Sequence, residues 1–585
     1  MYKKLFITAA LVTAGLQINA QTTAPDYKGS SNNNPISANV FCADPTALEY
    51  NGRLYVYGTN DHQQFMVQGK TGKNDYGQIK SIVVFSTDDM VNWTFHGTID
   101  TEKVCSGWVP SGWPIKGYGV SWAPSVTWRT HKRSKKDEFF LYFCNNVHGI
   151  GVLKAASPIG PWSSPLEELM IHSETPGAKP SSAIFDPGVT IDDNGVGWLA
   201  IGGLDPVAEE GGTGFDPKNA RIYKLNYSMS SVNGLPAKIP APYHFEANEL
   251  NIIGGKYVYT YCTNWSNRSE TASEWNAYKA AKGITGSAPD PCQMCYMVSD
   301  DPTNPDSWEY KGVYGPHPQH GTTNNHTHLH KFQGNYYFIF HNAALQEKMK
   351  AAGVIDGSTA IYRSICVNKA TVDESTATIS RASTSLTGVS AIKNLNPYEL
   401  QQAETMASCG GVEYEDFTNI KNNTKVSTLG NDASENMQVK MKVGSWINVR
   451  NADFGTNGAA KFTLCAKGEG TIEIRLGTKT STAAATLNIS SNDMRDNVFE
   501  VDATKFQGVK NIYIVATAAT DLYLDAWQFK EIDPTGIQTI ESSKVGQTQR
   551  YDLLGRPITD TQQHRGIVIE QYTDEKGIRH TRKSW

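Results

Sequence analysis

Most of this chain alternates short apolar runs with polar turns, the two-residue period of strands that bury one face. From Asn39 to about Lys393 the alternation is punctuated by a recurring phrase, a polar turn followed by an aromatic strand. Its copies are Tyr50-Asn-Gly-Arg-Leu-Tyr-Val-Tyr57, Asp193-Asn-Gly-Val-Gly-Trp-Leu199, Gly254-Gly-Lys-Tyr-Val-Tyr259 and Gln333-Gly-Asn-Tyr-Tyr-Phe338. Three copies carry an acid just upstream: Asp44 in Ala-Asp-Pro, Asp186 in Phe-Asp-Pro and Glu246 in Phe-Glu-Ala. A second phrase, a Ser/Asp turn closing on tryptophan, recurs at Phe85–Trp93, Ala156–Trp162 and Ser299–Trp308 and offers rings to pack between sheets. Unit starts near Asp44, Trp122, Asp186, Glu246 and His328 give five repeats of roughly 60 to 80 residues. This predicts an all-β chain opening with a five-bladed β-propeller, whose innermost strands converge on one axis.

The pattern divides the chain. Residues 1–20 read as a signal peptide: Lys3-Lys4, an apolar run from Leu5 to Leu16 too short to span a bilayer, and Ala20 at the cut. Gln21 to about Pro35 is rich in Ser, Asn and Thr and reads as a flexible lead-in. The propeller is expected over 36–393. After Asn394-Leu-Asn-Pro397 the aromatic phrase stops, and short Thr/Val/Ala strands over 398–532 predict a β-sandwich of jelly-roll type. Residues 533–585 are short for an independent globule and read as a tail or docking segment.

Composition narrows the partners. A length of 585 residues exceeds one hydrophobic core. The net charge of −5 comes from interspersed acids and bases without a basic run, which argues against nucleic acid or an anionic membrane surface. Beyond the leader no stretch is apolar enough to span a membrane, so an exported protein acting in the periplasm, on the outer surface or outside the cell is expected. Aromatic residues make up 10% of the chain, with 13 Trp and 27 Tyr, and such flat faces suit both sheet cores and sugar rings. Nine cysteines, an odd number, imply no full disulfide framework. Cys292 and Cys295 form a CxxC without a second pair for zinc, and read as a local disulfide or as buried thiols.

Three acids at one end of a propeller axis have an obvious chemistry. Glycoside hydrolysis needs one carboxylic acid to protonate the leaving oxygen and one carboxylate to activate water. A third can tune the first. Glu249, three residues after Glu246, is the competing acid.

These motifs carry a resemblance. Phe41-Cys-Ala-Asp-Pro-Thr-Ala-Leu-Glu-Tyr-Asn-Gly-Arg-Leu-Tyr-Val-Tyr57, Ser121-Trp-Ala-Pro-Ser-Val126, Phe185-Asp-Pro-Gly-Val-Thr-Ile-Asp-Asp-Asn-Gly195 and Tyr243-His-Phe-Glu-Ala247 resemble the motifs of glycoside hydrolase family 43, in the family's order. The resemblance implies a five-bladed propeller that inverts configuration and acts on arabinose- and xylose-containing plant polysaccharides. Carried over, Asp44 is the general base, Glu246 the general acid and Asp186 the residue that orients the acid and raises its pKa. Trp122 resembles the subsite aromatic, and Arg363 is a candidate substrate contact. Asn324-Asn-His-Thr-His-Leu-His-Lys331 stands where the family often holds a hydrated calcium ion in the channel, with His328 as ligand and His326 as second choice. No organic cofactor is implied.

The second domain resembles carbohydrate-binding module family 6 through Asn396–Glu404, Gly444–Gly455 and Leu524–Phe529. The resemblance implies a structural calcium held by Glu404 and Asp525. Lys440 and Met441 stand where such modules carry a stacking Tyr, and the loop from Ser490 to Asn497 lacks the usual Trp, which argues against sugar binding at the usual loop edge and leaves a concave-face site or a purely structural domain as alternatives. The tail from Tyr551 resembles C-terminal segments of secreted proteins of Gram-negative gut bacteria. Together these imply an α-L-arabinofuranosidase acting on arabinoxylan, with a β-xylosidase acting on xylo-oligosaccharides as the alternative and a catalytically silent sugar-binding protein as the reading from another class.

Overall fold

The computed structural model describes residues 23–532 apart from 70, 72, 107–118, 180–182, 266–271, 323, 357–360, 417–424 and 427–436, and beyond them 549–551, 557–558, 568–573 and 579–584. The expected signal peptide lies outside the described residues. Five antiparallel sheets follow one another along the chain. The first holds β1 (Ala43–Tyr50), β2 (Arg53–Thr59), β3 (Ser81–Thr87) and β4 (Trp93–Asp100). The second holds β5 (Trp122–Thr130), β6 (Asp137–Cys144), β7 (Gly149–Ala155) and β8 (Ile171–His172). The third is β9 (Gly188–Ile191), β10 (Gly197–Ile201), β11 (Arg221–Lys224) and β12 (Ala237–Lys238). The fourth is β13 (His244–Ile253), β14 (Lys256–Thr263), β15 (Met294–Ser299) and β16 (Glu309–Gly315), and the fifth β17 (Thr327–Phe332), β18 (Asn335–Asn342) and β19 (Ser364–Ala370). The first strands are neighbours in cyclic order: β1 meets β5, β5 meets β9, β9 meets β13, β13 meets β17, and β17 returns to β1.

The recurring phrase is the first hairpin of four of the five sheets, the second being joined instead by the turn between Thr130 and Asp137. Tyr50 pairs with Arg53, and the two residues between them, Asn51 and Gly52, have φ of 50° and 74°, the conformation a two-residue hairpin turn of type I′ requires. Gly254-Gly255 and Gln333-Gly334 repeat the geometry between β13 and β14 and between β17 and β18. Trp93, Trp162 and Trp308 are all buried, each in a different apolar cluster. Truncating any of them to alanine would cost about 3–5 kcal/mol. Neighbouring first strands are stitched by side chains: the Val126 amide donates to Thr46 Oγ1 at 3.2 Å and the Val189 amide to Ser125 Oγ at 3.0 Å. At the next junction the chains come closer still, because a Cβ on Gly188 would meet the Asn248 oxygen and Glu249 Cα at 2.7 Å.

The C-terminal domain builds one continuous core under long strands. Its sheet runs in the order Ser408–Gly410, Trp446–Asp453, Val509–Glu531, Ala459–Leu476 and Ala483–Glu500, around a cluster that includes Phe462, Trp527 and Phe529. Residues 490–497, expected as a loop, belong to the strand Ala483–Glu500, which pairs with Ala459–Leu476 along nearly its whole length. Among the described residues of the tail, four short strands pair with one another between Gln549 and Ser584.

The lead-in departs from expectation. Its polar residues satisfy backbone groups of both domains instead of water, so the segment is packed. Asn34 Nδ2 donates to Ser385 O at 2.8 Å and its oxygen accepts from the Val367 amide at 2.8 Å, closing this segment on the last sheet. Lys28 is buried with Nζ 2.7 Å from Ala407 O, and burial, reinforced by Arg450, lowers its pKa to about 7. The domains also join directly. Thr405–Met406 pairs with β4, and Asn92 exchanges hydrogen bonds of 2.9 Å with both the amide and the carbonyl of Arg450.

Candidate active site

The first strands of four sheets open on a residue held with positive φ: Asp44 (48°), Ala123 (41°), Asp186 (47°) and Ala247 (61°). Outside glycine this costs of order 1–3 kcal/mol per residue, and it persists where surrounding structure enforces it. In β1, β5 and β13 the pairing register shifts at this point, the bulge that re-aims a side chain at the rim of a sheet. The alignment corrects the simple picture of three equivalent acids. Asp44 and Asp186 occupy the strained position itself, whereas Glu246 stands one residue earlier, in line with Trp122 and Phe185.

All three acids nevertheless line one pocket of about 210 Å³, with Trp122, Tyr76 and Trp265 among its walls. Asp44 is buried, and its Oδ1 accepts from Arg363 Nη1 at 2.7 Å. Burial alone would raise this carboxyl, but the Arg363 guanidinium foremost, helped by a hydrogen bond from the Thr59 hydroxyl, holds it below the usual carboxylate range. The His341 contact is not an ion pair. Its Nδ1 accepts the Asp44 amide hydrogen at 3.2 Å, and burial lowers its pKa to about 3, so the ring is neutral and its service is to hold the strained Asp44 backbone.

Arg363 is itself anchored. Asp61, fully buried at the start of helix α1 (Asp61–Gln68), accepts from Arg363 Nε at 3.0 Å, Nη2 at 2.9 Å and the backbone amide at 2.9 Å. Arg363, the candidate substrate contact, therefore lines the pocket with its guanidinium committed to two carboxylates. Tyr76 lies under it, with the guanidinium carbon 5.0 Å from the ring centre.

Asp186 and Glu246 sit in the opposite environment. Burial, and then the Asp44 charge, pushes Asp186 up to about 7, against hydrogen bonds from the Ala247 amide at 2.8 Å and the Cys144 thiol at 3.7 Å. Burial, then Asp186 and Asp44, drives Glu246 well above the carboxylate range, with Trp265 Nε1 donating to its Oε1 at 3.1 Å. One ionised and one protonated carboxyl in the same pocket is the division of labour acid–base catalysis needs.

Trp122 lies across the pocket, with its Nε1 donating to Tyr76 O at 3.1 Å. His326 joins this site, 3.8 Å from Asp44. His328 points elsewhere, its Nδ1 3.2 Å from Oε2 of the fully buried Glu249. Glu249 does not line the pocket. Asp61, Tyr76, Trp265 and His341 escaped sequence reasoning, since none belongs to a repeated phrase. The Asn60-Asp61 step at the head of α1 is the only local signal among them.

Residues 32–353 match the model of glycosyl hydrolases family 43. The chain belongs to that family. Residues 402–531 of this family 43 protein match the carbohydrate binding module (family 6). It is 35% identical over 564 residues to an arabinoxylan arabinofuranohydrolase of Paenibacillus polymyxa, covering 93% of this chain and 82% of the relative. A protein of the same name from Bacillus subtilis is 33% identical over 528 residues, covering 88% and 96%. The crystal structure of a glycoside hydrolase family 43 arabinoxylan arabinofuranohydrolase from Bacillus subtilis, in complex with cellotetraose, superposes with a TM-score of 0.72 at 32% identity, covering 87% of this chain and 99% of that one. All nine cysteines of this family 43 chain are buried and none is disulfide-bonded, so Cys292 and Cys295 are thiols.

Proposed function

We propose that this protein is an inverting hydrolase that removes α-L-arabinofuranosyl side chains from arabinoxylan. The observation that carries the reading is the split of carboxyl states in one pocket: Asp44 held ionised by Arg363, Glu246 held protonated by burial and its acidic neighbours. In this mechanism Asp44 takes a proton from a water molecule as it attacks the anomeric carbon. Glu246 gives its proton to the departing oxygen, and Asp186 maintains the proton on Glu246. An inverting pair stands roughly 6.5–9.5 Å apart to admit that water. Turnover leaves Asp44 protonated and Glu246 ionised, and exchange with solvent resets both. A pocket of about 210 Å³ suits one terminal sugar ring, with Trp122 as an apolar wall for its face. The names of the relatives support the substrate class.

The cyclic adjacency of first strands supports a five-bladed propeller over 36–393, with 398–532 as the module. His328 and Glu249 fit a hydrated calcium ion as a two-donor anchor, because both are buried and neither Glu249 oxygen has a hydrogen-bond partner among the described residues. Among those residues no group of three His, Cys, Asp or Glu is placed to hold a metal, so water would complete the shell. In the module, Glu404 and Asp525 are both buried, and their carboxyl oxygens would be the donors that a calcium ion prefers. The charge pattern at the N-terminus supports export, which N-terminal sequencing of secreted protein checks.

The deciding experiment is hydrolysis of arabinoxylan and of the 4-nitrophenyl α-L-arabinofuranoside and β-D-xyloside, with sugars identified and the first-formed anomer read by NMR. Arabinose appearing first as the β-anomer is expected. Xylose without arabinose would overturn the substrate, and an α-anomer the mechanism.

A further inference from the structure

A second and larger hollow, of about 590 Å³, lies between β4, α1 and the facing edge of the C-terminal domain. Both domains build it. Phe95 on β4 and Tyr414 on the module strand Glu413–Asp416 meet on its floor, ring centres 4.6 Å apart and tilted by 49°. Met66 of α1 stands 67% exposed at the mouth. The polar lining is Asn39, His62, His96 and Thr98, with no lysine or arginine among the described residues and one carboxylate, Glu413, which is paired to Lys442. His62 Nδ1 is buried without a hydrogen-bond partner among the described residues, and burial lowers this imidazole's pKa to about 4. Asn39 makes three long carboxamide contacts, donating to Val412 O at 3.4 Å and accepting from the Tyr414 hydroxyl at 3.4 Å and the Ser37 hydroxyl at 3.2 Å.

We propose that this groove is a second carbohydrate site, which takes an unsubstituted stretch of the β-1,4-linked xylose backbone. The inference rests on the proposed substrate. An aromatic floor with hydroxyl, carboxamide and imidazole groups around it is the chemistry that holds sugar rings. A hollow nearly three times the volume of the pocket suits several rings, where the pocket suits one. The groove is preformed, because β4 and the module share strand pairing and the Asn92–Arg450 exchange. It is also tied to the chemistry by one turn of helix: Asp61 of α1 grips Arg363 while His62, the next residue, faces the groove. Backbone held here would raise the local concentration of side chains at the pocket, as any second contact on one polymer does.

The test uses the full chain carrying Asp44→Asn, so that nothing is hydrolysed, with xylohexaose as the probe and hydrogen exchange read by mass spectrometry. Peptides spanning 95–98 and 412–414 should slow on binding. Thr98→Trp, at an exposed position that projects into the groove, should abolish that protection. In otherwise wild-type enzyme it should raise KM on arabinoxylan at least fivefold and leave kcat/KM on 4-nitrophenyl arabinofuranoside within twofold. Met66→Arg is the second variant, with the same expectations. Xylohexaose protection absent from these peptides overturns the proposal, as does an arabinoxylan KM within twofold of wild type in both folded variants. If no arabinose is released from any substrate the functional reading fails, yet the exchange experiment still decides the groove.

Discussion

Asp61→Asn isolates the anchor behind Asp44, the proposed catalytic base. Asp61 accepts four hydrogen bonds: from Arg363 Nε, Nη2 and amide, and from Asn74 Nδ2 at 3.1 Å. Three converge on Oδ2 and one on Oδ1. An asparagine does best with its oxygen in the Oδ2 place, which keeps three bonds and sets its amide against Nη2. The loss is one charge-assisted bond, about 1.5–3 kcal/mol, and stays below the roughly 3–5 kcal/mol for removing one partner of a buried ion pair. Asp61→Ala should reach that upper figure. With Asp61 neutral, Arg363 answers to Asp44 alone, so the acidic limb of kcat/KM, which reports the base in the free enzyme, moves to lower pH. A weaker base and a less firmly held guanidinium should lower kcat by about tenfold, within what general-base catalysis supplies. Urea unfolding of both variants and a pH–rate profile of Asp61→Asn are the measurements. Stability within 1 kcal/mol of wild type together with an unmoved acidic limb would refute the anchoring argument.

Asp44→Asn should cost about 10²–10⁴-fold in kcat, the range of general-base catalysis, with an unchanged circular dichroism spectrum. Full activity would remove Asp44 from the mechanism. Glu246→Gln should be nearly silent on a 4-nitrophenyl glycoside, whose leaving group needs little protonation, and severe on arabinoxylan; equal losses on both would count against its role as acid. Asp186 has a folded pKa of about 7 against roughly 3.9 unfolded, so the native state holds a proton that the unfolded chain releases. Stability should therefore fall as pH rises between those values. Asp186→Asn should flatten that fall, read as the difference in Tm between pH 4.5 and 7.5. If His328 with Glu249 and Glu404 with Asp525 each hold calcium, a chelator should lower the Tm of wild type but not of a His328→Ala, Glu404→Ala double variant; an equal drop in both argues against these sites.

What the sequence determined by itself is local. The Asn-Gly and Gly-Gly turns, the alternating strands and the tryptophan phrases report their structure within a few residues, because turn conformation and one-sided burial act over that range. Asp44, Asp186 and Glu246 were legible for the same reason: each opens a strand that repeats. Tertiary structure decided what the acids are worth. Arg363 reaches Asp44 across 319 positions of sequence and Asp61 across 302, so no local signal could show that Asp44 is ionised. It also decided the offset that puts Glu246 one residue from its counterparts, since a bulge is a property of two paired strands. His326 and His328, two residues apart, part because His326 precedes the strand that carries His328, one joining the carboxylates and the other meeting Glu249. The lead-in shows the converse error. Its polar composition suggested solvent, but a folded domain on each side offered buried backbone groups, and hydrogen bonds to them replaced those to water. Composition records what a side chain can bond to, and only the assembled fold supplies the partner.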